Sequence, residues 1–431
     1  MVARGKFQRR SHMFSKITQL YKNYKSLGLY IFSNLFGKGL SFLSFPIFIN
    51  ALSTEDVGIL GVFSGATILV TIFLSGAFLY SMDVEYFKHS KENYSNILSS
   101  TIYIPFFFSL IAIAVIWTGF GYFSSSFSFQ PEFILLLPLC ALNMVFYEAS
   151  LALVRNREKP VLYIWFNIIK IVPELGIALC LIKIFSWNWE GRVIGILISG
   201  FLCTVFFVYY AYKLSLLRWY FNWDKVKAQL KFALFPMFMQ LAVFFVTTSD
   251  RFFITNYYSV EETAVYNVAA ILAGTIFVFI SAAMTYLLPR LYRTAPFNWQ
   301  NTKHLFFGVI KIMGISMLVV VAVSMAIFKW YLKPGYEESI PIFFVLLLSY
   351  CIWNMAGYFS YIINFYKNKK VLAIIPSLLI VFAFLNFTFF AGKVSFRHFV
   401  YSELLICVFA LSVYLFFCKR LGFFNRQAAA N

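Results

Sequence analysis

Charge is scarce in this chain. Only 12% of its 431 residues are Asp, Glu, Lys or Arg, and just 17 of them are acidic. A soluble globular surface needs about twice that fraction. Histidine is scarcer still: His12, His89, His304 and His398 form no H-E-x-x-H or similar pair, so no metal site is expected. Six cysteines, Cys140, Cys180, Cys203, Cys351, Cys407 and Cys418, all lie inside apolar runs without a CxxC spacing. They read as small buried side chains. No G-x-x-x-x-G-K-S/T phosphate loop is present, and no soluble segment is long enough for an ATPase. No nucleophile and base form a recognisable constellation, so an enzyme is not expected. The N-terminal arm lacks an apolar run with a small-residue cleavage site, so no cleavable signal peptide is expected.

Apolar residues fill the space that charge leaves. They make up 61% of the chain, with 55 Phe and 27 Tyr. A run of about 20 apolar residues crosses a bilayer core as a helix. Twelve such spans are expected: 27–49, 57–82, 97–119, 131–154, 161–182, 191–212, 232–256, 263–288, 305–328, 340–364, 371–391 and 397–418. They are numbered spans 1 to 12 below. The fold class is therefore an all-α polytopic membrane protein.

The net charge of +19 reads as a topology signal rather than a nucleic-acid surface, because the basic residues sit between apolar runs. Both termini and the even-numbered loops hold 26 of the 36 Lys and Arg. The other loops, counted with the first residues of spans 6 and 12, hold six: Lys183, Arg192, Lys329, Lys333, Lys393 and Arg397. By the positive-inside rule both termini are cytoplasmic.

One turn is written twice. "NALSTEDVGILGVFS" (50–64) and "NYYSVEETAVYNVAA" (256–270) align at a shift of 206 residues, which superposes Asn50 on Asn256, Ser53 on Ser259, Glu55 on Glu261 and Asp56 on Glu262. Each turn joins a first span to a second. An even number of spans restores direction, so the chain reads as two six-helix bundles in parallel repeat around a central cavity. The expected organisation is a basic interfacial arm at 1–26, an N-terminal bundle at 27–212, an interfacial linker at 213–231, a C-terminal bundle at 232–418 and a tail at 419–431. In the arm, "FSKITQLYKNYK" suits an amphipathic surface helix, and "LLRWYFNWDKVKAQLK" reads as its second copy. The final "QAAAN" matches no structural element.

Charges inside spans are costly and mark candidate sites. Lys38 lies more than ~15 Å from either end of span 1, and Asn34 and Ser41 share its helix face. Lys170 and Glu174 in span 5 stand at i and i+4 around Pro173, either as a self-contained pair or as part of a gated cavity. In span 7, Asp250 and Arg251 are adjacent and point to different faces, as a gate or as a structural ion pair. Lys311 in span 9 reaches a cavity or snorkels. Glu148 in span 4 and Glu403 in span 12 are candidate coupling carboxylates. Ser64, Thr67, Thr71 and Ser75 in span 2 line water or serve helix packing. The central charges lean positive, which suits an anionic substrate such as a membrane-borne pyrophosphate.

Twelve spans in two halves, the hairpin "PIFINALSTEDVGILGVFS" and its companion "SDRFFITNYYSVEETAVYNVA" resemble the multidrug/oligosaccharidyl-lipid/polysaccharide exporter superfamily. Ala264 stands where the second-half pattern often has Gly. Within the superfamily the chain most resembles the Wzx-type O-antigen flippases. The resemblance implies a flippase of the bacterial inner membrane in lipopolysaccharide or related polysaccharide biosynthesis. Its substrate would be an undecaprenyl-pyrophosphate-linked oligosaccharide, moved from inner to outer leaflet by alternating access. It implies no cofactor beyond a proton or sodium gradient. Membrane lipids, a polysaccharide polymerase and chain-length proteins are the implied partners. Lys38, Arg251, Lys170 and Lys311, with Asn34 and Ser41, would bind substrate. Asp250, Glu174, Glu148 and Glu403 would gate or couple. A drug exporter of the same fold and a membrane-embedded assembly enzyme are the alternatives; an acidic lumen would favour the first, a long catalytic loop the second.

Overall fold

A computed structural model describes residues 46–119, 131–292, 294, 297–365 and 369–424. Among these residues every regular element is helical, and eleven helices are long and apolar enough to cross a membrane. They fall on expected spans 2 to 12. The protein is an all-α polytopic membrane protein. Only the last turn of span 1 is described. The basic arm, Asn34, Lys38 and Ser41 lie outside the described residues, as does the QAAAN tail.

Helix is the form that satisfies every backbone N–H and C=O without water, so each apolar run has little choice. The ends are set by polar caps. Ser53 caps span 2 (Thr54–Lys88), accepting from Asp56 N at 3.0 Å while the Asp56 carboxylate accepts from Ser53 N at 3.0 Å. Ser259 caps span 8 with the first of these two bonds, accepting from Glu262 N at 3.0 Å. The turn that recurs in the sequence is thus a helix start of the S-x-x-D/E type. Each cap contributes about 1 kcal/mol.

The helix pairs also recur. Span 2 packs on span 4 and span 8 on span 10; span 4 packs on span 6 and span 10 on span 12; spans 5 and 6 pair as do spans 11 and 12. Between the halves, span 2 lies against spans 7 and 8. Small residues permit the approach. A Cβ on Gly58 would fall inside contact distance of the Val260 carbonyl, and one on Gly61 would sit 3.0 Å from Asn267 Cγ. Asn267 is the residue 206 positions after Gly61. Equivalent residues of the two repeats therefore touch where spans 2 and 8 cross, as they must beside a two-fold pseudo-axis. The hairpin end is closed further by Asn50 Nδ2 donating to Tyr331 O at 2.6 Å and Lys333 Nζ donating to Leu52 O at 3.1 Å.

Two expectations change. The region 216–231 does not form an interfacial helix of its own. Residues 216–222 lie outside any helix, and Ser99 and Ser100 hold their backbone: Arg218 N donates to Ser99 Oγ at 2.9 Å and Asn222 N to Ser100 Oγ at 3.1 Å. Asn222 then caps a helix that runs unbroken from Trp223 to Thr247, so span 7 starts nine residues earlier than its apolar run. Span 7 also breaks at Thr248 and Ser249 and restarts as Asp250–Tyr257.

Candidate substrate-binding and coupling site

The first polar cluster joins spans 5 and 6. Lys170 and Glu174 form the intrahelical pair that their spacing allows. Glu174 also accepts from Arg192 Nη2 of span 6 at 2.6 Å, and Lys170 Nζ reaches Ser199 Oγ at 3.3 Å. Gly195 lets the helices meet here, since a Cβ on it would lie 2.8 Å from Glu174 O. Arg192 lies over the Phe48 ring at 4.4 Å, which ties the group to the end of span 1. Two cations share one carboxylate, so the cluster carries an excess positive charge. Arg192 Nη1 is enclosed and has no partner among the described residues. Arg192, the second residue of expected span 6, counts among the loop charges in the sequence and not among the candidate site residues. Only its nearness to Glu174 marks it, and that is a fact of packing between spans.

The second cluster lies in the other half. Asp250 is 1% exposed at the start of the short helix after the span 7 break. Its carboxylate accepts from Tyr266 Oη of span 8 and from Arg251 N at 2.9 Å. Glu403 of span 12 is also 1% exposed, with Cys407 Sγ 4.0 Å from Oε1 and no partner for Oε2 among the described residues. It is close enough to Asp250 and Arg251 for the charges to act on one another. Tyr350 of span 10 faces the same group. Arg251 Nε is buried and unpartnered among the described residues. Two buried carboxylates thus lie in the region of Arg251, which is half-buried and forms no ion pair with either among the described residues.

The structure separates the remaining candidates. Lys311 is exposed on the face of span 9 that carries Phe307, Ile315 and Leu318, opposite the packed face of Val309, Met313 and Ser316. It therefore joins neither cluster. Glu148 is exposed on span 4. That helix is packed by spans 2, 3, 5 and 6, and its open strip carries Met144 and Glu148. Thr71 of span 2 reaches the same strip, 3.8 Å from Met144 Sδ. Of the span 2 hydroxyls, Thr67 and Ser75 are buried, Ser64 is exposed, and Thr67, Thr71 and Ser75 donate to carbonyls of their own helix. Among the described residues no three His, Cys, Asp or Glu side chains gather closely enough to hold a metal ion.

The sequence pattern of the family described as "Polysaccharide biosynthesis protein" matches residues 24–295. An "Uncharacterized membrane protein" of Haemophilus influenzae is 21% identical over 271 residues, 62% of this chain, and the match spans 65% of that relative's length. Among solved structures, the lipid II flippase MurJ in an inward closed conformation superposes with a TM-score of 0.69 at 16% identity, covering 91% of this chain and 87% of its own. An outward-facing MATE-family multidrug resistance transporter of the MOP superfamily gives a TM-score of 0.58 at 15% identity over 92% and 96%. At these identities the solved structures show a shared fold.

Proposed function

Because the chain belongs to the polysaccharide biosynthesis protein family, we propose that it flips a lipid-linked oligosaccharide, carried on undecaprenyl pyrophosphate, across the bacterial inner membrane. The O-antigen repeat unit or a related glycan is the cargo. The observation that carries this reading is the Lys170–Glu174–Arg192 cluster, a charge-excess group inside a helix bundle. A buried cation that its neighbours only half neutralise is costly in a membrane, and an anionic substrate offsets that cost.

In this reading Arg192 and Lys170 attract the pyrophosphate, joined by Lys38, Asn34 and Ser41 of span 1 and by Arg251. Glu174 keeps the two cations in place between cargoes. The sugar moves along the open strip of Glu148 and Thr71 while the polyprenyl tail stays in lipid. Asp250 and Glu403 take up the coupling ion, a proton or sodium. A buried carboxylate whose neighbours leave an oxygen free, as at Glu403, is a place where one positive charge can be taken up and released. The halves then rock about the span 2–span 8 crossing. Both termini are cytoplasmic, and a polymerase and chain-length proteins receive the product.

The test is complementation of a flippase-deficient strain that makes the matching glycan. Wild type is compared with Arg192→Ala, Lys170→Ala and Lys311→Ala at equal membrane abundance. Rescue by wild type and Lys311→Ala, and its loss in the other two, is expected. Failure of wild type together with raised resistance to cationic drugs would move the assignment to an exporter, a reading that the acidic Asp250–Glu403 pair favours.

A further inference from the structure

A groove of about 700 Å³ lies between spans 3 and 6, apart from both polar clusters. Phe106, Val205, Val208 and Tyr209 line it, and all four are exposed. Its one cation, Arg218, stands with Ser99 and Trp219 at one end, while the Thr204 hydroxyl at the other end is taken up by Asn143 Oδ1 and Gly200 O, each at 3.0 Å. From Tyr212 to Thr204 it runs about 12 Å along span 6. The groove is therefore an amphiphile's mould, carbon along its length and a cation at its head.

The head is at the end of the bundle that carries the basic loops. The backbone of Arg218 is fixed, since its N–H donates to Ser99 Oγ at 2.9 Å and Ser99 Oγ sits 3.4 Å from Leu216 O. Its guanidinium is not. Its ion pair to Glu92, at 3.9 Å, joins side chains 48% and 76% exposed. A pair of that kind contributes little and gives way to a better anion. Trp219 is fully exposed, Tyr103, Tyr212 and Phe221 are exposed as well, and the Tyr103 and Phe221 rings lie 5.9 Å apart. Aromatic side chains of this type settle at the headgroup level of a bilayer.

We propose that this groove is a binding site for an anionic phospholipid of the leaflet at the basic end, with the phosphate on Arg218 and one acyl chain against Phe106, Val205 and Val208. The bilayer is what covers a lipid-facing groove in a spanning bundle. The placement of one cation at the polar end selects an anionic headgroup over a zwitterionic one. The site holds the linker at 216–222 against span 3, through the same Ser99 that positions Arg218. The inference does not depend on which cargo the protein moves.

The experiment uses the full chain in phosphatidylcholine bilayers with a graded fraction of phosphatidylglycerol bearing a photoreactive acyl chain. Bound phosphatidylglycerol is counted by native mass spectrometry, and cross-linked peptides are mapped. Arg218→Gln removes the head contact. Val208→Trp fills the groove from an exposed position. Lys227→Gln removes an equal charge from an exposed site on the same end. Labelling within spans 3 and 6 is expected, with retention about five-fold lower in Arg218→Gln, labelling lost in Val208→Trp, and Lys227→Gln unchanged. Equal retention in all three variants, or label scattered around the bundle, overturns the proposal. So does displacement of the label by a polyprenyl phosphate at concentrations where phosphatidylcholine has no effect, since the occupant would then be the carrier lipid.

Discussion

Adding one methyl group to Gly58 should open the hairpin end. The Cβ of an alanine there would lie 2.8 Å from Val260 Cγ1 and closer still to the Val260 carbonyl oxygen, a backbone atom that cannot rotate away. Spans 2 and 8 must separate at that point. Overpacking of this kind costs about 1–3 kcal/mol. If the cost falls only on the closed arrangement, the open-to-closed ratio rises about 5- to 150-fold. Gly61→Ala should act more weakly, because it meets the Asn267 side chain at 3.0–3.3 Å, and that side chain can turn. Gly176→Ala is the control, with nothing within 4 Å. Spin labels at the exposed Glu55 and Glu261 report the separation of the two hairpins by pulsed electron resonance. The expected order of the long-distance fraction is Gly58→Ala, then Gly61→Ala, then Gly176→Ala equal to wild type. Identical distributions in all four proteins would refute the view that close glycine packing holds this end shut.

Other changes follow from the same geometry. Glu174→Ala leaves Lys170 and Arg192 without their shared carboxylate and should cost about 3–5 kcal/mol of stability, read as a fall in thermal unfolding temperature in detergent. Tyr266→Phe removes a donor from the buried Asp250 carboxylate and should cost about 1.5–3 kcal/mol, whereas Tyr414→Phe, whose hydroxyl bonds no carboxylate among the described residues, should cost less. Ser53→Ala and Ser259→Ala should each cost about 1 kcal/mol, since each removes a cap from an equivalent helix; clearly unequal losses would argue against equivalent capping. Glu158 holds φ at +53° after span 4, so Glu158→Gly should raise the unfolding temperature by relieving strain of about 1 kcal/mol.

The sequence exposed those features that one stretch of chain determines alone. Lipid forces each long apolar run into a helix, so spans 2 to 12 could be read directly. The recurrent S-x-x-D/E turns could be read too, because a cap and its partner are three residues apart. The clusters were legible only in part. Lys170 and Glu174 share a helix face, and their pair was visible. Arg192 is 18 residues from Glu174, and nothing local links them. Glu403 and Asp250 come together only because span 12 packs near span 7. The apolar neighbours of Lys311 at positions 307, 315 and 318 were a usable sign that it faces outward. The break at Thr248 was hidden, because "VTTSDRFF" carries neither Pro nor Gly. The early start of span 7 was hidden as well, because charged residues extend a helix beyond the apolar window.

The crossing of spans 2 and 8 also constrains how such a chain can be divided. If each half were a separate copy of one unit, the residue at the Gly61 and Asn267 positions would face itself. Two glycines there would leave a gap, and two asparagines would compete for the space that one now fills. A single continuous chain escapes that symmetry. It can put the small residue on one side and the polar one on the other, so the joint at the heart of the molecule is fitted by a mismatched pair that no self-paired half could supply.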